Sequence, residues 1–300
     1  MKSYRIEHST TYTYEADVTA SYGQFHLRPR DLGWQRCRSH QITVDPAPGD
    51  LFVHDDLYGN AKSYFHVTEP HRQLVVTAVS HVEVGVGGPG EEQLAVPWEQ
   101  ARPAVRPEQP DAWSATDFTF ASPYVEVPPG IEEYTRVSFT PGRPLGEAAV
   151  DLMHRVHDDF TYKFGSTSVG TTVSTLLELR TGVCQDFSHV MLSGLRSLGL
   201  AGRYVSGYLA TRPPPGKPRL VGADASHAWV GCWVPGGGWL YLDPTNAKVI
   251  DESHATVAYG RDYGDVLPVK GVIFTESKRS TMKVSVDMAP LEDSTALPTS

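Results

Sequence analysis

The sequence predicts an α+β protein in two parts, a small N-terminal β-sandwich and a core in which one helix packs on an antiparallel sheet. Three observations predict this architecture. Strand-like runs separated by turn residues fill residues 1–85. A helical apolar pattern follows Cys184. Further along, two aromatic-rich runs flank Pro235-Gly236-Gly237-Gly238, which is a strong hairpin signal.

The N-terminal part contains four apolar or β-branched runs with turn residues between them. Short strands at this spacing are typical of a small sandwich. The runs cover residues 3–14, 38–44, 61–68 and 73–84. We predict domain boundaries at 1–85 for this part, 86–140 for a Pro/Gly-rich connector and irregular region, 141–290 for the core and 291–300 for a flexible tail.

The core has helical signals before and at its central cysteine. Apolar or small residues recur at helical spacing over residues 144–159, and a short helix is expected over 171–179. From Phe187 the pattern continues to a stop at Gly199. Two closing strands are expected over 266–274 and 282–288.

Cys184 is the first candidate functional residue. It follows the turn residue Gly182 and lies on or next to the first turn of the predicted helix. Unpaired backbone N–H groups at a helix start favour an anion, and the thiolate is the nucleophilic form of cysteine. Taken alone, the residue is more often a buried, inert cysteine, so the case depends on its partners.

The hairpin contains two such partners, His227 and Asp243. A loop with an odd number of residues, centred on Pro235 or Gly236, puts both on one face of the hairpin; an even loop puts them on opposite faces. We predict the odd loop, because the chemistry requires the carboxylate beside the imidazole. Cys232 points away from His227, which counts against it as a nucleophile.

The three residue types together indicate acyl transfer. A cysteine thiolate attacks a carbonyl carbon, a histidine moves the proton, and a carboxylate fixes the histidine tautomer. The backbone N–H of Cys184 can donate to the oxyanion, and the sequence does not identify a second donor. Asp224 is a rival to Asp243, but its spacing of three residues from His227 places it on the opposite strand face.

The chain resembles the bacterial transglutaminase-like proteins, whose core is related to papain-type cysteine enzymes. The matching residues are 182–187, 195–209, 223–230, 238–239, 243–246 and 260–266. A looser resemblance covers the first 85 residues, which are similar to the N-terminal β-domain of that family. The resemblance implies a nucleophile at Cys184, a base at His227 and an orienting acid at Asp243, with a glutamine-type or peptide amide as substrate.

One position departs from the family pattern. The family usually has a glutamate after Ala228-Trp229-Val230, and this chain has Gly231. Because position 231 shares the strand face of His227, the sequence predicts a missing charge near the site.

Composition and charge limit the other function classes. The 300 residues carry a formal net charge of −9, which argues against binding nucleic acid or an anionic membrane surface. We expect no membrane span, because no run of about 20 apolar residues is present. Three cysteines make no disulfide framework, and the chain start lacks the apolar core of a signal peptide. We therefore expect a cytoplasmic enzyme.

Two alternatives stay open at this point. The chain could be a non-catalytic peptide-binding module that keeps the fold, or a metal-dependent hydrolase. His154 and His157 lack a third ligand at a recognisable spacing, and no EF-hand loop is present, so we expect no metal and no cofactor. The sequence does not decide the natural substrate, transfer against hydrolysis, or the oligomeric state.

Overall fold

The computed structural model of the protein describes residues 1–104, 109, 111–211 and 226–291. The N-terminal region forms one curled antiparallel sheet. Its strands are β1 (Lys2–Phe25), β2 (Gln35–Asp45), β3 (Asp50–Asp55), β4 (Ala61–Val67) and β5 (His71–Val84). β1 serves both halves of the sheet, because its first part pairs with β5 and its last part with β4. Apolar residues of both halves share one buried core, which gives the predicted sandwich-like arrangement.

The stretch between the N-terminal sheet and the core contains short helices. These are α1 (Glu91–Leu94), α2 (Ala112–Thr116) and α3 (Ile131–Arg136), with single 3-10 turns at Trp98–Ala101 and Asp117–Thr119. Each is too short to produce a periodic apolar pattern, which is why the sequence gives no helical signal here.

The core consists of three longer helices and a five-stranded antiparallel sheet. Its elements are α4 (Leu145–Asp159), β6 (Thr161–Tyr162), α5 (Val173–Leu179), β7 (Thr181–Gly182), α6 (Cys184–Ser197), β8 (Gly202–Leu209), β9 (Ser226–Val234), β10 (Gly238–Asp243), β11 (Lys248–Val249) and β12 (His254–Gly260). The strand order of the sheet is β11-β10-β9-β8-β12. Within the described ranges, no helix is long and apolar enough to cross a bilayer.

The central helix is α6. It contacts β8 and β9 of the sheet as well as α3, α4 and α5. The sequence pattern indicates one apolar face, but the structure buries the helix all round from Gln185 to Arg196. The polar side of the helix can be buried because backbone carbonyls accept hydrogen bonds from it. The Arg196 guanidinium donates to the carbonyls of Phe118 (3.2 Å) and Gly202 (2.9 Å). The helix that begins with Cys184 is therefore held from several directions.

The two closing strands return to the N-terminal sheet. A 3-10 turn at Tyr263–Asp265 precedes β13 (Val269–Thr275) and β14 (Ser280–Pro290). Both strands pair antiparallel with β1, β14 along its first half and β13 along its last. The C-terminal strands thus extend the sheet that the N-terminal strands begin.

The N-terminal sheet is fixed to the core through the outer edge of β12. The Gln35 side chain donates to the carbonyl of Thr256 (2.8 Å) and accepts from its N–H (2.7 Å). Asn60 makes the same pair of bonds with the backbone of Tyr259, at 2.7 and 2.8 Å. Two side-chain amides therefore take the place of a missing neighbour strand and cover the edge.

Candidate active site

Cys184 is the first residue of α6, as the sequence predicts. Asp186 fixes the backbone at this point, because its Oδ2 accepts from the N–H of Val183 (2.8 Å) and from the hydroxyl of Thr167 (2.6 Å). Burial raises the pKa of Asp186 even though both of these bonds act to lower it. The N–H of Cys184 stands at the helix start, where an α-helix provides no intrahelical acceptor.

The register of the β9–β10 hairpin decides where His227 and Asp243 lie. Gly238 is opposite Val234 and Leu242 is opposite Val230, so the loop has three residues centred on Gly236. The loop length is therefore odd, as we predicted from the need to place the carboxylate beside the imidazole. It places the two side chains on one face of the hairpin along a diagonal.

His227 and Asp243 are directly hydrogen-bonded, with 2.7 Å between Nε2 and Oδ2. Asp243 is fully buried. Its Oδ1 accepts from the backbone N–H groups of Thr245 (3.0 Å) and Asn246 (3.2 Å). Burial alone would raise the pKa of Asp243, but hydrogen bonds from His227 and His254 outweigh it and hold the pKa well below its usual range. The carboxylate is therefore ionised and fixed in place.

Cys184 also interacts with the imidazole of His227. Burial alone would lower the pKa of His227, but the interactions with Asp243 and Cys184 outweigh it and raise the pKa to about 10. Because Nε2 donates to Asp243, Nδ1 is the ring nitrogen left to receive the thiol proton. A protonated imidazole beside the sulfur favours the thiolate. The structure thus brings all three predicted residues together from α6, β9 and β10.

Two further residues hold the Asp243 carboxylate. Asn246 Nδ2 donates to Oδ2 at 2.7 Å, and the fully buried His254 places Nε2 at 3.3 Å from the same oxygen. The other nitrogen of His254 lies 3.2 Å from Oδ1 of Asp251. Asn246 follows Asp243 within the matching motif, so the sequence offered a signal for it. His254 has none, because it begins β12, which pairs with β8 at the edge of the sheet and not with β10.

Three tyrosines feel the charge of Cys184, and no sequence pattern pointed to them. Burial, followed by the negative charge of Cys184, raises the pKa of Tyr162, Tyr204 and Tyr263. Tyr204 is buried on β8, whereas Tyr162 is exposed on β6. These phenols come from three different parts of the chain, so no sequence spacing connects them.

The other candidates make contacts with residues outside the triad. Cys232 is fully buried, and burial raises the pKa of its thiol to about 12. His189 is also fully buried, where its Nε2 accepts from the N–H of Tyr263 at 3.3 Å. His157 bonds the carbonyl of Thr245 at 3.0 Å. In the part of the chain that the structure describes, no group of three or more His, Cys, Asp or Glu residues could hold a metal ion. Asp224 lies outside the described residues.

The surroundings of Gly231 show what a side chain at this position would contact. A Cβ at Gly231 would meet Cγ of Arg203 and Cε1 of Tyr241, each at 3.0 Å. Nε of Arg203 is buried without a hydrogen-bond partner, and its guanidinium packs on the rings of Trp239 (4.1 Å) and Tyr259 (3.6 Å). The position therefore faces this aromatic–arginine cluster, while His227 lies four residues earlier on the same strand.

The fold agrees with the sequence comparisons. Residues 4–83 match the bacterial transglutaminase-like N-terminal region, and residues 135–244 match the transglutaminase-like superfamily. A protein of Mycobacterium tuberculosis without an assigned function is 48% identical over 296 residues, which cover 96% of this chain and 93% of that one. The chain belongs to the bacterial transglutaminase-like proteins.

Two other proteins are similar to parts of the chain or to its fold. A protein-glutamine gamma-glutamyltransferase of Pseudomonas aeruginosa is 33% identical over 106 residues, which are 34% of this chain and 16% of that enzyme. The solved structure of a putative cysteine protease from Cytophaga hutchinsonii superimposes with a TM-score of 0.71. That likeness covers 97% of this chain and 98% of the other at 16% identity, so it shows the fold alone.

Proposed function

We propose that this protein catalyses cysteine-dependent acyl transfer from a glutamine-type or peptide amide through a thioester. The observation that carries the proposal is the 2.7 Å hydrogen bond between His227 and the buried Asp243, with Cys184 interacting with the same imidazole. A cysteine packed only as a small hydrophobe has no need of an imidazole whose pKa is raised by a buried carboxylate.

The reaction runs in two halves. Cys184 Sγ attacks the amide carbon and forms a C–S bond, and the oxygen charge is stabilised in part by the N–H of Cys184. His227 gives its proton to the nitrogen of this tetrahedral intermediate, the C–N bond breaks, and ammonia or an amine departs, which leaves a thioester on Cys184. An amine or water then attacks the thioester while His227 takes its proton. The C–S bond breaks, and the resulting imidazolium and thiolate restore the starting state.

The incoming nucleophile decides the name of the activity. An amine gives transglutamination, and water gives amidase or peptidase activity. The similarity to the P. aeruginosa protein-glutamine gamma-glutamyltransferase supports a glutamine donor for this chain. The superfamily match over residues 135–244 supports cysteine-dependent chemistry as a class.

One assay separates the outcomes. The protein is incubated with a glutamine-containing peptide library and a fluorescent primary amine, and products are read by mass spectrometry. We expect amine-tagged peptides, with cleaved or deamidated peptides where water competes. Cys184→Ala should abolish both kinds of product, whereas the matched control Cys37→Ala, which removes another free cysteine, should retain them.

Three results would contradict the proposal. Product formation that persists in Cys184→Ala excludes this nucleophile. Activity abolished by a strong chelator points to metal-dependent hydrolysis. Peptide binding without any product, together with iodoacetamide labelling of Cys184 that is indifferent to His227→Ala, identifies a binding module.

A further inference from the structure

A cleft of about 300 Å³ opens between the N-terminal sheet and the core. One wall belongs to the sheet. It consists of three cross-strand pairs on a single face of β1 and β14, namely His8–Val286, Thr10–Val284 and Tyr12–Met282. The other wall belongs to the core and includes Ser226, the residue before His227, and Tyr263.

The cleft has one buried end and one end that is open to solvent. Its inner end is buried, because His8 and Val286 are each 1% exposed, and the ring of His8 hydrogen-bonds the Tyr208 hydroxyl at 3.0 Å. Tyr208 pairs with Ser226 across β8 and β9, so this end adjoins His227. The outer end is open, with Met282 62% exposed. Four residues of strand separate Tyr12 from His8, a length of about 14 Å.

Tyr263 lines the cleft on the core side. After burial, the charge of Cys184 is the largest cause that raises the pKa of the Tyr263 hydroxyl, and Tyr12 on the opposite wall contributes to the same shift.

The lining chemistry selects an apolar occupant. Among the described lining residues there is no Lys, Arg, Asp or Glu. The only titratable group besides the two phenols is His8, and burial lowers its pKa to about 4, so it is neutral near pH 7. The remaining wall is valine, methionine, proline and tyrosine with the small hydroxyls of Thr10 and Ser226. A charged side chain entering this space would lose its hydration without gaining a partner.

We propose that this cleft, built jointly by the first and last strands of the chain, binds an apolar side chain of the acyl-donor polypeptide that flanks the reactive amide. The inference rests on the proposed function and names its substrate class. A volume of about 300 Å³ is at the lower limit of ligand pockets and suits one large aliphatic or aromatic side chain with its backbone. The N-terminal sheet is then part of the substrate site.

The test uses glutamine peptides that differ only in one residue, Leu, Asp or Lys, at each position flanking the glutamine. We expect the wild type to favour Leu in kcat/KM by about tenfold or more at one of these positions. Val284→Asp places a carboxylate in the half-open wall and should reverse this ranking so that the Lys peptide is preferred. Val272→Asp is the matched control, because Val272 is 64% exposed on β13 of the same sheet and outside the cleft lining.

The rate of iodoacetamide labelling at Cys184 is measured in parallel and should be unchanged in both variants. If Val284→Asp keeps the wild-type ranking while labelling is normal, the cleft assignment is overturned and the proposed catalysis stands. If no peptide reacts and labelling does not depend on His227, the proposed function itself fails. Should Val284→Asp label slowly, Met282→Asp at the exposed mouth repeats the test, and an unchanged peptide ranking there also overturns the assignment.

Discussion

Replacing Asp243 with Asn should lower the pKa of His227 and thereby show that the carboxylate, and not burial, sets the charge of the site. The wild-type pKa of His227 is about 10, against an ordinary value of 6.5. An opposite charge at hydrogen-bonding distance raises an imidazole pKa by about 1–3 units. Asn keeps the size of the side chain and removes the charge. We therefore expect the midpoint of His227 in the variant at about pH 7–9, lower by that contribution.

Nuclear magnetic resonance of ¹⁵N-labelled histidine measures this midpoint without any substrate. The His227 signals are identified by their loss in His227→Gln. As a control, Asp158→Asn removes an exposed carboxylate on α4 and should leave the midpoint unchanged. Equal midpoints in the wild type and Asp243→Asn would refute the electrostatic account of the site.

The same pKa shift predicts how stability depends on pH. The folded pKa of His227 is raised above its unfolded value of 6.5, so its contribution to the free energy of unfolding is fully present below pH 6.5 and is lost as pH rises through about 10. Urea denaturation between pH 7 and pH 10 should therefore show a decline in the wild type that is smaller in Asp243→Asn. A steeper decline in the variant would contradict the assignment.

Three further predictions concern His227, His254 and Gly231. His227→Ala should slow iodoacetamide labelling of Cys184 about tenfold or more, because no imidazolium then favours the thiolate; equal rates would exclude the pairing. His254→Gln should lower kcat and should lower the pKa of His227 by less than Asp243→Asn does, because it removes only the 3.3 Å contact to the carboxylate. An unchanged pKa of His227 together with a lower free energy of unfolding would indicate a purely structural role. Gly231→Ala should lower the free energy of unfolding by about 1–3 kcal/mol, because its Cβ would lie 3.0 Å from Tyr241. Urea denaturation of both proteins measures this loss, with the same dependence of the free energy on urea concentration in each.

Local patterns predicted most of the elements. The helical spacing before and after Cys184 identified α4 and α6, and the alternating runs identified β1, β2, β4 and β5. The sequence did not predict β3, because its six residues are all exposed and show no alternation of burial. β12 escaped because it is buried throughout, and a continuously buried strand lacks the period of two.

The sequence by itself determined the three residue types of the candidate triad and, through the short glycine-rich turn, the hairpin that carries two of them. These are local properties, since strand parity and helix-start chemistry depend only on neighbours in the chain. The tertiary structure decided the rest. His254 reaches Asp243 only through the packing of the core sheet, in which β12 pairs with β8, and β14 lines the cleft only because it pairs with β1. Contacts between different strands depend on how whole elements pack, and no spacing in the sequence encodes that packing.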